Sequence, residues 1–175
     1  AETDYACPAS KHARALNELQ RFFIEETRLG IPVDFTNEGI RGLCHHGATS
    51  FPAQIGIGST WNKKLVNEIG RITGKEARAA GYTNVYSPVL DLARDPRWGR
   101  GQETYGEDPF LTARMGIAFV KGLQGDDPEY LKAAACAKHY VVHSGPEKIR
   151  HQFNALPSER DFRETYLPAF QALVQ

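Results

Sequence analysis

Cysteine is scarce in this sequence. Cys7, Cys44 and Cys136 are odd in number and far apart, which excludes both a disulfide framework and a zinc pattern as readings. Charge of one sign is missing too. The 21 Lys and Arg offset 21 Asp and Glu, leaving a formal net charge of zero. With no basic cluster, nucleic acid is not the expected partner. No apolar run approaches the roughly 20 residues that cross a bilayer, so no membrane is expected either. The opening A-E-T-D-Y-A-C-P has neither a basic start nor an apolar core. No leader peptide is expected there, and the compartment stays open; periplasm or secretion would fit a leader already removed. There is no residue-level repeat and no low-complexity tract. A composition of 41% hydrophobic and 10% aromatic residues over 175 positions fits one ordinary soluble domain, or part of one.

Periodicity supplies the next layer. Lys11 to Leu29 carries Leu16, Leu19, Phe22 and Phe23 at helical spacing, and Gly30 follows as a stop. The run I-P-V-D-F-T reads as a strand that ends in Asn37, Glu38 and Gly39. A loop with Arg41, His45 and His46 comes next. Ala48 to Ser59 is rich in glycine and small residues, and its G-I-G lacks the third glycine of a nucleotide fingerprint. Trp61 to Ala80 is a second helix, with Leu65, Ile69 and Ile72 on one face. Thr83 to Leu92 is the second strand. Asp108 and Pro109 read as the N-cap and first residue of a helix reaching Gly122. Leu131 to Val142 is a third strand, apolar enough for burial on both faces. Ser158 opens a last helix, with Asp161 where a capping box has Glu. Strands that alternate with helices imply parallel strands joined by right-handed crossovers.

The most unusual stretch is Ser87 to Phe110. A strand there runs into a loop that sets Arg94, Arg97 and Arg100 among Asp95, Glu103, Glu107 and Asp108. Two Pro, three Gly and a Trp stiffen it. Guanidinium groups held in fixed directions after a strand are what a polar-ligand pocket needs. A salt-bridged structural loop is the plainer alternative.

The stretch D-L-A-R-D-P-R-W-G-R-G-Q-E-T-Y-G-E-D-P resembles the signature of the glycoside hydrolase family 3 N-terminal domain. So do I-P-V-D-F-T-N-E-G-I-R-G, A-T-S-F-P-A-Q, A-K-H-Y-V-V-H-S-G-P-E and S-E-R-D-F-R-E-T-Y-L-P-A-F, in the same order from about Ile31 to the end. The match looks nearest to bacterial β-xylosidase and β-glucosidase members. It implies a (β/α)8 barrel with its site at the strand C-terminal ends. Such a barrel takes roughly 250 residues and eight strands, whereas this sequence offers three strands. The expected fold is therefore α/β, the N-terminal part of a barrel, incomplete in this chain. Residues 1–30 would be a helical segment and 31–175 the first βα units.

The resemblance also implies site residues. A pyranose presents a ring of hydroxyls, which carboxylates accept from and cations donate to. Glu38 stands where the family accepts sugar hydroxyls in the subsite next to the cleaved bond. Many glucosidases have Asp there, and xylosidase-like members often have Glu. Arg100 matches the last Arg of the R-W-G-R motif and would donate to the same sugar. Lys138 and His139 match a Lys-His pair that binds it. On the residues alone, Glu38 reads rather as a solvated loop carboxylate and His139 as a core group, while a solvated strand end suits Lys138 less, since few water-facing positions lie between Ala133 and Val142. Arg94 and Arg97 read as structural partners of nearby carboxylates, and Asp91 and Asp95 as structural acids. Adjacent strand residues point to opposite faces. For Lys138 and His139 to reach one sugar, the strand must end or distort there, through a bulge, an unusual φ/ψ pair or a non-proline cis peptide.

Two further readings are weaker. His139, His143, Glu147 and His151 suggest a metal, but Val141, Val142, Gly145 and Pro146 oppose the helix that such spacing needs; no metal or other cofactor is expected. A hexosaminidase branch carries an Asp-Ser-His unit after its Lys-His, but here Ile149 and Arg150 precede His151. What the chain lacks matters more. Retaining hydrolysis uses two carboxyl groups, a nucleophile and an acid/base. The family's nucleophile sits in a Ser-Asp-Trp-like motif, and no S-D-W, S-D-Y or S-D-F occurs here. The expectation is part of an exo-acting retaining β-glycosidase for terminal xylosyl or glucosyl residues. This chain would supply sugar contacts and be inactive by itself. Its partners would be the β-linked glycoside, the remainder of the barrel and a C-terminal domain. A non-catalytic sugar-binding fragment and a structural half-barrel are the alternatives.

Overall fold

A computed structural model describes residues 8–143 and 145–175; Cys7 lies outside them. The first helix, α1, spans Ala9–Glu25 and stops four residues short of the expected Leu29. Strand β1 is Thr36–Asn37, β2 is Asn84–Val85 and β3 is Ala134–Ala135. They pair in parallel in the order β1-β2-β3, with Thr36 beside Asn84 and Asn84 beside Ala134. Helices α2, Gln54–Gly58, and α3, Lys63–Ala80, connect β1 to β2. Helix α4, Pro109–Gln124, connects β2 to β3. Among the described residues this is the opening of an α/β barrel, helix-covered and parallel, with three strands.

The regular strands are much shorter than the expected spans. Each ladder is two residues long, and single bonds extend it at both ends. Thr83 donates to Phe35 at 2.9 Å, Tyr86 to Asn37 at 2.8 Å and Cys136 to Val85 at 2.9 Å. Pro88, which has no N–H to give, ends regular pairing on β2. One bridge then rejoins the chains, Val89 beside Lys138, with Leu90 donating to the Lys138 carbonyl. The expectation that strand three is buried on both faces does not hold. Ala134 and Ala135 are half-buried, because β3 has a strand on one side only and methyl-sized side chains.

The helices begin where polar side chains can accept their free N–H groups. Asn62 caps α3 by accepting from Leu65, and Asp108 caps α4 by accepting from Leu111. Each such cap contributes about 1 kcal/mol. Gly81, at φ 92°, closes α3 in the left-handed conformation that glycine adopts without penalty. The packed face of α3 shares Ile69 with the expected face but turns away from Leu65. It is Val66, Ile69, Gly70, Thr73, Gly74, Ala77 and Ala80, while Leu65 is 41% exposed. The reason is close approach to α4. A side chain at Gly70 or Gly74 would run into the carbonyls of Phe119 or Leu123. Met115, Phe119 and Leu123 of α4 complete this core with Val85.

The last helix is three pieces rather than one. Ser158 caps a short turn, α5 (Glu159–Asp161), by accepting from the Asp161 N–H, as the capping pattern predicts. A wider π turn over Phe162–Tyr166 follows, and then α6, Pro168–Val174. Pro168 withholds the N–H that a continuous helix would use. Phe170 and Ala169 of α6 pack on Leu90 and Ala113. Helix α1 departs most from expectation. It docks through Leu16 against Gly81 and through Gln20, which brackets both backbone groups of Val33 at 2.7 and 2.9 Å. Its Leu19 and Phe22 stay about half-exposed. No described helix is long and apolar enough to cross a membrane.

Candidate functional site

Three loops leave the C-terminal ends of the three strands and meet over one edge of the sheet. Glu38 follows β1. Its neighbour Gly39 lies so close to Val85 that a Cβ there would stand 2.2 Å from the Val85 side chain. Only glycine lets the loop turn this tightly and lift Glu38 clear. Arg41 of the same loop donates to Gln102 at 2.9 Å and ties it to the loop after β2. Lys138, after β3, donates its Nζ to Glu38 Oε2 at 2.5 Å across the sheet. The lysine is largely buried at 15% side-chain exposure, while Glu38 is half-exposed.

Arg100 is the hub of the second group. The turn Gly101–Glu103 places Glu103 three residues on, where its carboxylate takes two guanidinium donors. Nε donates to Oε1 at 2.9 Å and Nη2 to Oε2 at 2.7 Å. The Arg100 hydrogen bond holds the Glu103 carboxyl below its usual range, against the opposing effect of burial, with the Lys138 charge adding to the same side. Nη1 of Arg100 donates to His143 Nε2 at 2.9 Å, and Nη2 donates to His139 Nε2 at 3.1 Å. Four of its five N–H groups are thereby engaged; the fifth, on Nη1, is uncommitted among the described residues. Bidentate pairing of this kind fixes a guanidinium in direction as well as place.

Asp91 sits beneath the histidine with no side-chain exposure. It accepts from the His139 ring Nδ1 at 2.6 Å and from the His139 backbone N–H at 3.2 Å. Trp98 is buried and meets the His143 ring edge-on at 6.0 Å, and the His139 and His143 rings are 4.5 Å apart. The backbone leaves the regular pleat here. The Lys138–His139 bond is cis, as is Tyr140–Val141, and both Lys138 and His139 side chains reach the same cluster. Glu38, Arg100, Lys138 and His139 are thus brought together, as the motifs lead one to expect. A cavity of about 560 Å³ adjoins the cluster at Glu38, lined by residues 38–46 and 48–50.

Arg97 is a structural partner of Asp95, as expected, and holds it down to a pKa of about 2 through side-chain and backbone hydrogen bonds. Arg94 departs from expectation: among the described residues it pairs with no carboxylate but donates to the Tyr166 hydroxyl at 2.9 Å, because the π turn brings that ring over it. The four possible metal ligands do not converge. His139 and His143 turn to Arg100, while Glu147 and His151 both accept from Arg150. No group of three His, Cys, Asp or Glu among the described residues could hold a metal. Cys44 and Cys136 are free thiols. Glu103 and His143 belong to the site although no role followed from their motifs. The signal for Glu103 was its spacing of three from Arg100 in a turn. His143 had none, since no regular period connects it to His139.

Comparison with known proteins fits this geometry. A xylan 1,4-β-xylosidase of Xylanibacter ruminicola is 46% identical over 167 residues, covering 85% of this chain and 19% of that protein. A β-xylosidase/α-L-arabinofuranosidase of Medicago sativa is 39% identical, covering 86% of this chain and 22% of that protein. The chain spans about a fifth of the length of these curated relatives. Among solved structures, a β-glucosidase from Listeria innocua superposes with a TM-score of 0.81 at 36% identity, over 93% of this chain and 22% of that one. A family 3 exo-β-xylosidase in complex with a xylobiose aziridine probe gives 0.77 at 32%, over 94% and 25%. The family model described as the glycosyl hydrolase family 3 N terminal domain matches residues 6–175, and the chain belongs to that family.

Proposed function

We propose that this chain is the sugar-holding part of an exo-acting retaining β-glycosidase that removes terminal β-D-xylosyl or β-D-glucosyl residues. Residues 31–175 are its first βα units and residues 1–30 a helical lead-in. The observation that carries this reading is the meeting of Glu38, Arg100, Lys138 and His139 from three successive strand ends. Such a cluster opposes a carboxylate to fixed cationic donors, which suits the vicinal hydroxyls of a pyranose. Glu38 accepts from sugar hydroxyls; Lys138 and the free N–H of Arg100 donate. Glu rather than Asp at position 38, together with relatives named as xylosidases, favours xylosyl over glucosyl. The nucleophile and the acid/base belong to the remainder of the barrel and a further domain, so this chain binds without cleaving.

The test is kinetic, in the full-length enzyme on an aryl β-xyloside. Glu38→Ala and Arg100→Ala each lower kcat/KM by about two to four orders of magnitude. A charge-assisted hydrogen bond is worth roughly 1.5–3 kcal/mol, and more when it tightens in the transition state. Wild-type kinetics in either variant would remove that residue from the subsite.

A further inference from the structure

The site contains a constraint on protonation that its contacts impose. Arginine has donors only, so each imidazole nitrogen it meets must offer a lone pair. Both His139 and His143 meet Arg100 through Nε2, at 3.1 and 2.9 Å. Both rings are therefore neutral, with the proton on Nδ1. For His139 that proton has its acceptor in buried Asp91, at 2.6 Å. His143 is the new element. Its Nε2 takes one N–H of Arg100 Nη1 and leaves the other N–H of the same nitrogen uncommitted among the described residues.

We propose that His143 is a positioning residue, which in its neutral form aims the free Nη1 N–H of Arg100 at the ligand and in its charged form releases it. This rests on the reading of the cluster as a sugar subsite. A protonated His143 would set an N–H against an N–H and one cation against another, so the contact could not persist. The charged and titratable groups facing His143 come from every neighbouring segment. Asp91 and Arg100 lie on the segment after β2, His139 on the loop after β3 and Glu147 on the turn Glu147–Ile149. Asp91 and Glu147 favour the charged ring; Arg100 opposes it, as does His139 in its charged form. Burial, the largest influence, also opposes it, so the ring titrates below the usual imidazole range. Trp98 covers one edge.

Two measurements on the full-length enzyme test this. Neutron diffraction at neutral pH should place hydrogen on Nδ1 of His143 and none on Nε2; an Nε2–H, or a doubly protonated ring, would overturn the proposal. The pH profile of kcat/KM supplies the second. Replacing His143 with Ala should cost about tenfold or more at neutral pH, the value of a hydrogen bond to a charged group. His143→Gln, whose carbonyl oxygen accepts but does not titrate, should recover most of that loss and move the acid limb of the profile downward. A Gln variant as weak as Ala with an unmoved acid limb would refute the positioning role. An enzyme without glycosidase activity would instead defeat the sugar-subsite reading, and the ring hydrogens would still decide the contact.

Discussion

Glu103 illustrates how a single carboxylate does two things at once. It saturates two donors of Arg100 and, being ionised, keeps the guanidinium paired in a half-buried place. Replacing it with Gln leaves one oxygen and turns an amide donor toward Nη2. The expected result in the full-length enzyme is a loss of about 10- to 100-fold in kcat/KM, since a hydrogen bond to a charged group carries about 1.5–3 kcal/mol. Steady-state kinetics on an aryl β-xyloside measure this, and an unchanged value would mean that the histidines alone suffice. Because Arg100 holds the Glu103 carboxyl below its usual range, Glu103 stays charged while pH falls through the imidazole range. Loss of activity on that flank is therefore not a titration of Glu103.

At the scale of elements, the pair α3 and α4 decides where the loop after β2 sits. The two helices approach through glycines rather than interdigitated large side chains. A Cβ at Gly122 would stand 2.0 Å from the Asn67 carbonyl oxygen, and one at Gly74 would stand 2.3 Å from the Leu123 carbonyl oxygen. Backbone atoms cannot swing aside as a flexible side chain does. Gly122→Ala gains intrinsic helix propensity of about 1 kcal/mol, yet it must push the helices apart, which costs about 1–3 kcal/mol or more. The variant is expected to be less stable than the parent in urea denaturation, with the midpoint lowered. A raised midpoint would show that the helices part without loss. Asp108 caps α4 at the far end of the same loop, so a shift of α4 would be carried toward Arg100.

For the molecule as a whole, pH acts through half-buried imidazoles. Burial first, then the neighbouring His45, lower the pKa of His12; burial lowers that of His143. The unfolded chain takes up these protons near pH 6.5, and the folded chain takes them up only at lower pH. Between those values the unfolded state binds more protons, so stability falls as pH falls. Above pH 6.5 this effect is absent. Glu103 and Asp95, both held low by arginines, remain ionised through that window and do not contribute there. The melting temperature should therefore drop between pH 7 and pH 5. His12→Phe keeps a ring against His45 and Tyr82 without a titrating group, and should flatten part of the drop. An equally steep fall in that variant would take His12 out of the account.

The order of the three strands and of the long helices between them, and the identity of the polar residues at the strand ends, follow from the sequence alone. Helix caps at Asn62, Asp108 and Ser158 act within a few residues, so local chemistry reveals them. Strand alternation implied a parallel sheet, and the motifs around Glu38, Arg100, Lys138 and His139 marked residues that do meet. Tertiary structure decided the rest. Which face of α3 is buried depended on the approach of α4, which no periodicity within α3 encodes. Strand length depended on where Pro88 and the backbone at Lys138–His139 stop regular pairing. The Arg94–Tyr166 contact spans 72 residues and the His139–Asp91 contact 48, distances over which sequence spacing carries no geometric information. His143 is the sharpest case. Its place on Arg100 exists only because three loops close over one sheet edge, and a hydrogen bond between distant loops is a property of their packing.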